Sequence, residues 1–270
     1  MRKIAIIGGT GIYSPETLQC FEEKVIQTPY GAALCNIGTM CGNQVIFITR
    51  HGVGHKTAPH KVNYRANIWA LKSLGTEEIF ATTAVGSLNP DMEPGHFVVC
   101  DQVLDFTKSR INTFYDNPER GVAHVDFTNP YCPRLRDKVI NCLYKTDIIF
   151  HKKGCYVCTE GPRFETAAEI KMFAMLGGDL VGMTNMPESL LAREAEMCYT
   201  NCSIVTNMAA GISPTPLSHS EVVEAMDKRE RKSAYILYGM VVSLLLSNSR
   251  KQKHQCRYAR SRITVNHYIG

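Results

Sequence analysis

Short apolar runs that end in glycine or polar residues recur along the chain and constrain its fold more than any other feature of the sequence. Residues 4–7, 45–49 and 79–83 are three such runs. Continuous apolar runs of this length are typical of strands that are buried on both faces, as in α/β proteins. The stretch 62–74 has helical periodicity and ends at Gly75. The alternation predicts helices packed around a largely buried sheet.

The later part of the chain continues this alternation. The further predicted strands are residues 97–103, 155–159, 180–183 and 202–206, and the further predicted helices are residues 164–176 and 218–246. The last helix opens with Ser218 and Glu221, which have the spacing of a capping box. Because no repeat or low-complexity segment divides the chain, we expect one domain over residues 1–248 and a basic tail over residues 249–270.

The tail holds the excess of positive charge. Residues 249–270 carry six basic side chains and no acidic one, so the first 248 residues carry 24 positive and 25 negative charges. A nucleic-acid-binding domain is expected to carry its basic excess on the folded body. We therefore expect no nucleic-acid partner and interpret the tail as a solvated end. A binding module that uses the tail to hold nucleic acid is the non-enzymatic alternative.

Hydropathy and cysteine usage indicate the compartment. No apolar run reaches the roughly 20 residues that span a bilayer, and the first residues lack the apolar length of a secretory signal. We therefore expect a cytoplasmic protein with no membrane partner. The eleven cysteines are odd in number and mostly lie in apolar stretches, which predicts reduced, buried thiols. Cys155 and Cys158 could instead bind a metal, but no second pair lies at zinc-site spacing, so we expect none.

Glycines and polar residues collect where the predicted strands end, which is where ligands bind in open α/β sheets. The groups are residues 8–11, Arg50 with His51, Thr83 with Ala84, Thr184 with Asn185, and Asn207. Glycine N–H groups, the Thr10 hydroxyl and the Arg50 guanidinium together suit phosphate. The same glycines allow an NAD-dependent oxidoreductase as an alternative, but the third glycine of that fingerprint would fall at Ser14.

Six segments occur in the order of a known family. They are residues 8–11 (GGTG), 49–52 (TRHG), 61–70 (KVNYRANIWA), 82–88 (TTAVGSL), 160–166 (EGPRFET) and 182–188 (GMTNMPE). Together they resemble the trimeric purine nucleoside phosphorylase and methylthioadenosine phosphorylase family. The resemblance implies a single α/β domain, with a mixed and partly barrel-like central sheet flanked by helices, assembled as a homotrimer. It also implies phosphorolysis of a purine nucleoside, with inorganic phosphate as co-substrate and no cofactor.

The resemblance also implies roles for individual residues. The phosphate ligands would be Thr10, Arg50, His51, Thr83, Ala84 and Thr184. Met183 would pack against the ribose and Phe164 against the base. His219 would meet the 5′-hydroxyl, although it could also be a surface residue at a helix start. His124 would reach the site of the neighbouring subunit, although a surface position in a loop fits it as well.

Two positions bear on the choice of base. Asn207 and Ala209 stand where the methylthioadenosine branch carries aspartates that accept a hydrogen bond from a 6-amino group. An Asn amide can instead donate to O6 or N7, and Glu165 resembles the carboxylate that accepts from N1–H in the purine nucleoside phosphorylase branch. Taken singly, Asn207 could be a turn residue and Glu165 a carboxylate at a helix start.

The two positions together favour a phosphorylase that acts on inosine or guanosine in purine salvage. The residues expected to carry out catalysis are Thr10, Arg50, His51, Glu165 and Asn207. A phosphorylase of S-methyl-5′-thioinosine or of methylthioadenosine is the alternative within the same family.

Overall fold

The structure is a computed structural model that describes residues 3–8, 19–40, 43–52, 54, 56–117, 121–212 and 263–266. The described strands are β1 (Lys3–Gly8), β2 (Gln19–Thr28), β3 (Gly31–Met40), β4 (Asn43–Thr49), β5 (Thr76–Ser87), β6 (Phe97–Val99), β7 (Gln102–Phe106), β8 (Val122–Val125), β9 (Phe150–His151), β10 (Cys155–Thr159), β11 (Leu180–Gly182), β12 (Cys198–Met208) and β13 (Ile263–Asn266). The described helices are α1 (Tyr64–Ser73), α2 (Pro133–Leu143), α3 (Ala167–Met175) and α4 (Glu188–Glu194), with a 3₁₀ turn at Pro59–Lys61.

Eleven of these strands form one mixed sheet. Its path runs β2-β3-β4-β1-β5-β11-β10-β7, and β12, β6 and β9 branch from it at β5. β1 pairs in parallel with β4 and β5, whereas β11 pairs antiparallel with β5. The prediction of an α/β fold with a mixed sheet is confirmed. Within the described residues the sheet is open and branched and does not close into a barrel.

β1 lies inside the sheet and is covered on both faces. Ala5 and Ile7 pack into one hydrophobic cluster, whereas Ile4 and Ile6 pack into another. Alternate side chains of a strand point to opposite faces, so a strand covered on both sides needs a continuous apolar run. All four side chains are fully buried. Burying one isoleucine side chain stabilises the fold by roughly 1.5–3 kcal/mol.

α3 begins three residues later than the periodicity predicts. The Thr166 hydroxyl accepts a hydrogen bond from the Glu169 backbone N–H, and the Glu169 carboxylate accepts one from the Thr166 backbone N–H. This capping box fixes the start of the helix. Phe164 and Glu165, which the sequence places in the helix, therefore lie in the loop that precedes it.

The predicted strand over residues 97–103 is in fact two strands. β6 pairs with β12, whereas β7 pairs with β10. Between them the chain crosses from one branch of the sheet to the other, where the Cys100 N–H donates to Asn201 O and the Asp101 N–H donates to Gly154 O. Hydropathy does not reveal the crossing, because both strands carry apolar residues.

β12 is longer than the predicted strand over residues 202–206, because its polar residues are satisfied inside the protein. Asn201 Nδ2 donates to Ser203 Oγ at 2.8 Å, and Thr83 Oγ1 of β5 lies 2.9 Å from the same hydroxyl. All three side chains are buried. Such mutual hydrogen bonding allows polar residues to occupy the middle of a sheet.

Part of the basic tail is attached to the folded body. β13, which lies within residues 249–270, pairs antiparallel with β8, and Thr264 is opposite His124. Residues 213–262 lie outside the described part of the chain, and with them the predicted helix over residues 218–246. The interpretation of the tail as a solvated end stays a prediction.

The structure describes the side chains of eight cysteines, which are free thiols and, except for Cys155, buried. The expectation of reduced, buried cysteines is confirmed for these residues. Burial raises the pKa of Cys100 to about 11 and that of Cys158 to about 12, so both thiols stay protonated at neutral pH. No described helix has the length and apolar character needed to cross a membrane.

Replacing Asn63 with Ala should lower the free energy of unfolding by about 1 kcal/mol, because a lost N-cap costs roughly 0.5–2 kcal/mol. Asn63 Oδ1 accepts from the Ala66 N–H at the start of α1, and Asn63 Nδ2 donates to Tyr30 O at 2.7 Å. Asn63→Asp keeps the capping oxygen and loses only the second bond, so it should be less destabilised. Urea titration measures both. Equal stability of Asn63→Ala and the unaltered protein would contradict the assignment.

Candidate active site

A cavity of about 400 Å³ lies where β5 is paired by both β11 and β12. The predicted site residues that line it are Arg50, His51, Thr83, Ala84, Phe164, Glu165, Met183, Thr184, Asn207 and Ala209. They come from β5 and β12, from the segments after β4 and β11, and from the loop between β10 and α3. The volume lies within the roughly 300–1,000 Å³ range of small-molecule sites.

The other predicted site residues do not line this cavity in the described part of the structure. Thr10 and His219 lie outside the described residues. His124 lies on β8, where its side chain is exposed. Its expected contact is with a neighbouring subunit, so its position on one chain neither supports nor opposes that role.

Sequence reasoning missed part of the cavity wall. The segment 56–59 lines the cavity close to His51, and Thr206 lines it beside Asn207. The first segment begins four residues after the end of the TRHG motif, and this nearness in sequence is a signal that could have found it. No sequence pattern indicates Thr206, because its role in the wall depends on a hydrogen bond to Asn207.

Arg50 is held at the cavity by a buried carboxylate. Its Nε and Nη2 donate to the two oxygens of Glu188 at 2.6 and 2.8 Å, and its Nη1 donates to Thr82 O at 3.0 Å. Both side chains of the ion pair are almost completely buried. Bidentate pairing of this kind fixes the plane of the guanidinium. It uses three of the five N–H groups of Arg50, counted over the described residues.

The surroundings keep Arg50 charged. Burial by itself lowers the pKa of Arg50, but the opposite charge of Glu188 and its hydrogen bonds raise this pKa above the ordinary value overall. Tyr199 supports the pair from β12 by donating its hydroxyl to Glu188 Oε1 at 2.8 Å. Arg50 is therefore a permanent cation in the wall of the cavity.

His51 has a defined hydrogen-bond partner. Its Nδ1 lies 2.8 Å from Thr57 O. A carbonyl oxygen only accepts, so Nδ1 carries the proton in this contact. The contact also joins His51 to the segment 56–59 that lines the cavity. His51 is 4% exposed, and its ring orientation is thus set by the protein.

The cavity wall carries one carboxylate that was expected from the sequence, that of Glu165. Thr159 Oγ1 donates to Glu165 Oε1 at 2.6 Å. Burial raises the pKa of Glu165 above its ordinary value, and the Thr159 hydrogen bond opposes this effect. The pKa of Glu165 is therefore set by burial, which raises it, and by its hydrogen-bond donors, which lower it.

Asn207 presents a donor whose orientation can be assigned. Its Nδ2 lies 2.8 Å from Met208 O, and its Oδ1 accepts from Thr206 Oγ1 at 2.8 Å. Exchanging the two amide atoms would bring Oδ1 against the Met208 carbonyl, which cannot donate. Nδ2 retains a second hydrogen that bonds to no described residue. Asn207 therefore offers a donor on the side of Gly86, whose added Cβ would lie 3.2 Å from Nδ2.

Apolar side chains also line the cavity. Phe164, Val181, Met183 and Ala209 belong to its wall. Gly161, with φ +66°, precedes Phe164, and a Cβ added there would lie 2.6 Å from Met183 Sδ. A glycine at this position thus allows the loop to approach Met183 closely. The apolar wall suits a flat ring and a sugar rather than a fully charged ligand.

Arg110 bonds to both of the loops that carry these residues, although no sequence pattern indicated this role. Its Nη1 donates to Met186 O at 2.5 Å, and its Nη2 donates to Thr159 O at 3.0 Å and to Glu160 O at 2.7 Å. The side chain is almost fully buried. The guanidinium thereby ties the end of β10 to the segment after β11.

The arrangement combines two chemically different ends. Arg50 and His51 make one end cationic or polar, whereas Glu165 and Asn207 supply a carboxylate and an amide donor at the other. Such a cavity can hold an anion next to a planar, polar ring. In the described part of the chain, no group of three or more His, Cys, Asp or Glu side chains could hold a metal ion.

Comparisons with known proteins bear on this chemistry. The model of the phosphorylase superfamily matches residues 3–242. The chain is 54% identical to a 6-oxopurine nucleoside phosphorylase of Pyrococcus furiosus over 234 residues, which are 85% of this chain and 88% of that protein. It is 50% identical to a probable 6-oxopurine nucleoside phosphorylase of Moorella thermoacetica, covering 97% of this chain and 100% of that one.

A solved structure is also similar along nearly the whole chain. Methylthioadenosine phosphorylase from Schistosoma mansoni, in complex with adenine, superimposes with a TM-score of 0.90. The two proteins are 32% identical, and the match covers 96% of each chain.

Replacing Glu188 with Gln should lower the free energy of unfolding by about 3 kcal/mol, because breaking a buried ion pair leaves an uncompensated charge at a cost of roughly 3–5 kcal/mol. Urea titration provides the measurement. Asp116→Asn is the matched control, since Asp116 pairs with Arg65 at 2.6 Å on the surface and exposed pairs contribute about 0–1 kcal/mol. Similar small losses in both variants would show that the Arg50–Glu188 pair does not stabilise the fold as described.

Proposed function

The chain belongs to the phosphorylase superfamily, and from this membership we propose that it cleaves 6-oxopurine nucleosides, inosine and guanosine, with inorganic phosphate. The products are the free purine base and ribose 1-phosphate. Relatives named 6-oxopurine nucleoside phosphorylase share at least half of the aligned residues with this chain. A reaction that returns free bases to the cell serves purine salvage.

The observation that carries the proposal is the hydrogen-bond polarity of the base side. Glu165 offers an acceptor, and Asn207 Nδ2 offers a donor to the same cavity. A 6-oxopurine has the complementary groups, since its N1–H donates and its O6 and N7 accept. Neither residue alone distinguishes a purine, but an acceptor and a donor from separate elements do so together.

The same polarity disfavours adenine. Adenine has a bare N1, so an ionised Glu165 would face a second acceptor with no proton between them. Its 6-amino group would face the Asn207 donor. A site that hydrogen-bonds one group rejects an analogue without it by factors up to about 10⁴–10⁵. We therefore propose a strong preference for inosine and guanosine over adenosine.

Phosphate is proposed to bind at the opposite end of the cavity. Arg50 supplies a fixed charge, and the other proposed ligands are Thr10, His51, Thr184 and the backbone N–H of Ala84. The Thr83 hydroxyl bonds to Ser203 in the described structure, so Thr83 is proposed to act through the position of its strand. The fixed plane of Arg50 supports this assignment, because a preorganised cation needs no rearrangement to meet an anion.

The proposed reaction needs little covalent participation by the protein. A phosphate oxygen forms a bond to the anomeric carbon of the ribose as the bond from that carbon to the base breaks, with inversion. The electron pair of the broken bond passes to the purine, and Asn207 Nδ2 stabilises it by donating to N7. Met183 would pack on the ribose and Phe164 on the base, which holds the reactants in line. No metal or organic cofactor takes part in this scheme.

Assembly and location belong to the same proposal. We propose a homotrimer in which His124 of one copy reaches the site of the next, and we propose that the enzyme is cytoplasmic. His219 is proposed to meet the 5′-hydroxyl of the nucleoside.

S-methyl-5′-thioinosine is the second candidate substrate. The similarity to a methylthioadenosine phosphorylase favours a family member that accepts a 5′-methylthio group. The polarity of Glu165 and Asn207 applies equally to this 6-oxopurine, so the two candidates differ only at the 5′ position. Methylthioadenosine fits less well, because it carries adenine.

The proposal predicts that the protein releases hypoxanthine from inosine only when phosphate is present. Glu165→Gln should lower kcat/KM for inosine by about 10- to 100-fold, since a hydrogen bond to a charged group contributes roughly 1.5–3 kcal/mol. Because glutamine can donate a hydrogen bond to the bare N1 of adenine, kcat/KM for adenosine should fall much less. Release of base, followed by absorbance, measures inosine, guanosine, adenosine and 5′-methylthioinosine in parallel.

Glu23→Gln provides the control for this series. Glu23 is an exposed carboxylate on β2 and does not line the cavity. The same chemical change there should therefore leave kcat/KM for all four substrates unchanged. Hypoxanthine release without phosphate, or an adenosine preference in the unaltered protein, contradicts the proposed function.

A further inference from the structure

We infer that Thr159 is a positioning residue for Glu165: its hydroxyl holds one carboxylate oxygen and thereby sets the orientation and the charge with which Glu165 meets the base. This inference rests on the proposed function. It concerns a residue outside the six segments that resemble the family, since Thr159 immediately precedes the segment 160–166.

The contact is short and specific. Thr159 Oγ1 lies 2.6 Å from Glu165 Oε1, whereas its other acceptor, Gly182 O, lies at 3.4 Å. A threonine hydroxyl has one proton, and the shorter contact to a charged oxygen is the stronger one. The proton is therefore committed to Oε1. Oε2 remains for a ligand, because no described side chain donates to it.

Thr159 is itself held rigidly. It ends β10, pairs with Phe106 of β7, and is 8% exposed. Its carbonyl oxygen accepts a hydrogen bond from Arg110 Nη2 at 3.0 Å. Glu165, by contrast, lies in the loop before α3, outside any strand or helix. A rigid donor on a strand can thus fix a carboxylate that its own loop leaves less constrained.

The charge of Glu165 depends on a small set of groups. Burial raises the pKa of Glu165, the Thr159 hydroxyl and the backbone N–H of Glu165 lower it, Glu169 raises it and Arg163 lowers it. Arg163 is bonded to both oxygens of Glu169 at 2.7 and 2.8 Å, so these two charges largely cancel. The cations at the other end of the same cavity are Arg50 and Lys56, with His51 beside them. Thr159 is thus the one side-chain donor to the carboxylate among the described residues.

Loss of this donor would change which base fits. Without the Thr159 hydroxyl, the ionised form of Glu165 loses a hydrogen bond that stabilises it. The pKa of Glu165 therefore rises, and the side chain takes up a proton at a higher pH. A protonated Glu165 can donate to the bare N1 of adenine, whereas it cannot serve N1–H of a 6-oxopurine as well as a carboxylate does. The hydroxyl should therefore support discrimination between the two bases most strongly between the pKa of Glu165 with the hydroxyl and its higher pKa without the hydroxyl.

The test compares Thr159→Val, Thr159→Ala and Thr159→Ser with the unaltered protein. Valine keeps the shape and the β-branch of threonine but lacks the hydroxyl, alanine is a second variant without a hydroxyl, and serine restores it. The measurement is kcat/KM for inosine and adenosine between pH 5.5 and pH 8.5 at saturating phosphate.

The expected result is a loss that depends on pH and on the base. At the acid end of the pH range, Thr159→Val and Thr159→Ala should lose about tenfold in kcat/KM for inosine, since one hydrogen bond to a charged group is removed. This loss should become smaller as the pH rises and Glu165 ionises in the variants as well. At the acid end, kcat/KM for adenosine should fall less than kcat/KM for inosine. Thr159→Ser should stay within about twofold of the unaltered protein at every pH, because it keeps the donor.

Other outcomes overturn the inference. Equal losses for both nucleosides at all pH values, in either variant that folds, would assign Thr159 a purely structural role. A Thr159→Ser variant as impaired as Thr159→Val would exclude the hydroxyl as the cause. The unaltered protein is measured in the same series, so a failure of the proposed function appears separately, as absence of phosphate-dependent hypoxanthine release.

Discussion

The site depends on the pairing of two strands, β11 and β12, with the same end of β5. Gly86 of β5 pairs with Val181 of β11 on one side and with Asn207 of β12 on the other. A Cβ at Gly86 would lie 3.2–3.5 Å from Asn207 Nδ2, Val181 Cγ1 and Ala209 Cα. These distances leave little room for a side chain, so a residue without one allows both strands to approach. The cavity forms at this branch and gathers residues that are distant in the sequence.

The charged side chains of Arg50 and Glu165 are each held by their own hydrogen-bond partners. Glu188 and Tyr199 hold Arg50 in a buried, permanently charged state. At the other end, Glu165 has only Thr159 as a side-chain donor in the described part of the chain, and burial raises its pKa. One end is thus fixed in charge, whereas the other is sensitive to a single hydroxyl. We attribute anion binding to the first end and base selection to the second.

Sequence patterns predicted the strands whose apolar runs are continuous, and they predicted the residues at the strand ends that line the cavity. They missed the β2–β3 hairpin, α2 and α4, and they joined β6 to β7. The miss at α2 was avoidable, because its buried residues Leu135, Val139, Cys142 and Leu143 have the i, i+4, i+7, i+8 spacing of an amphipathic helix. They also missed Thr159, Thr206 and Arg110, and they assigned no role to Glu188. Each of these residues acts through a hydrogen bond or ion pair with another group, and such contacts exist only in the folded chain. Thr10 and His219 lie outside the described residues, so their roles stay predictions.

The central claim is that one cavity holds phosphate at Arg50 and a 6-oxopurine between Glu165 and Asn207. A crystal structure of the protein with hypoxanthine and phosphate bound tests it most directly. The account predicts N1–H of the base on the Glu165 carboxylate and O6 or N7 on Asn207 Nδ2, each at about 2.7–3.2 Å, with phosphate against Arg50 and His51. A base that contacts neither side chain, or phosphate bound away from Arg50, would contradict the account.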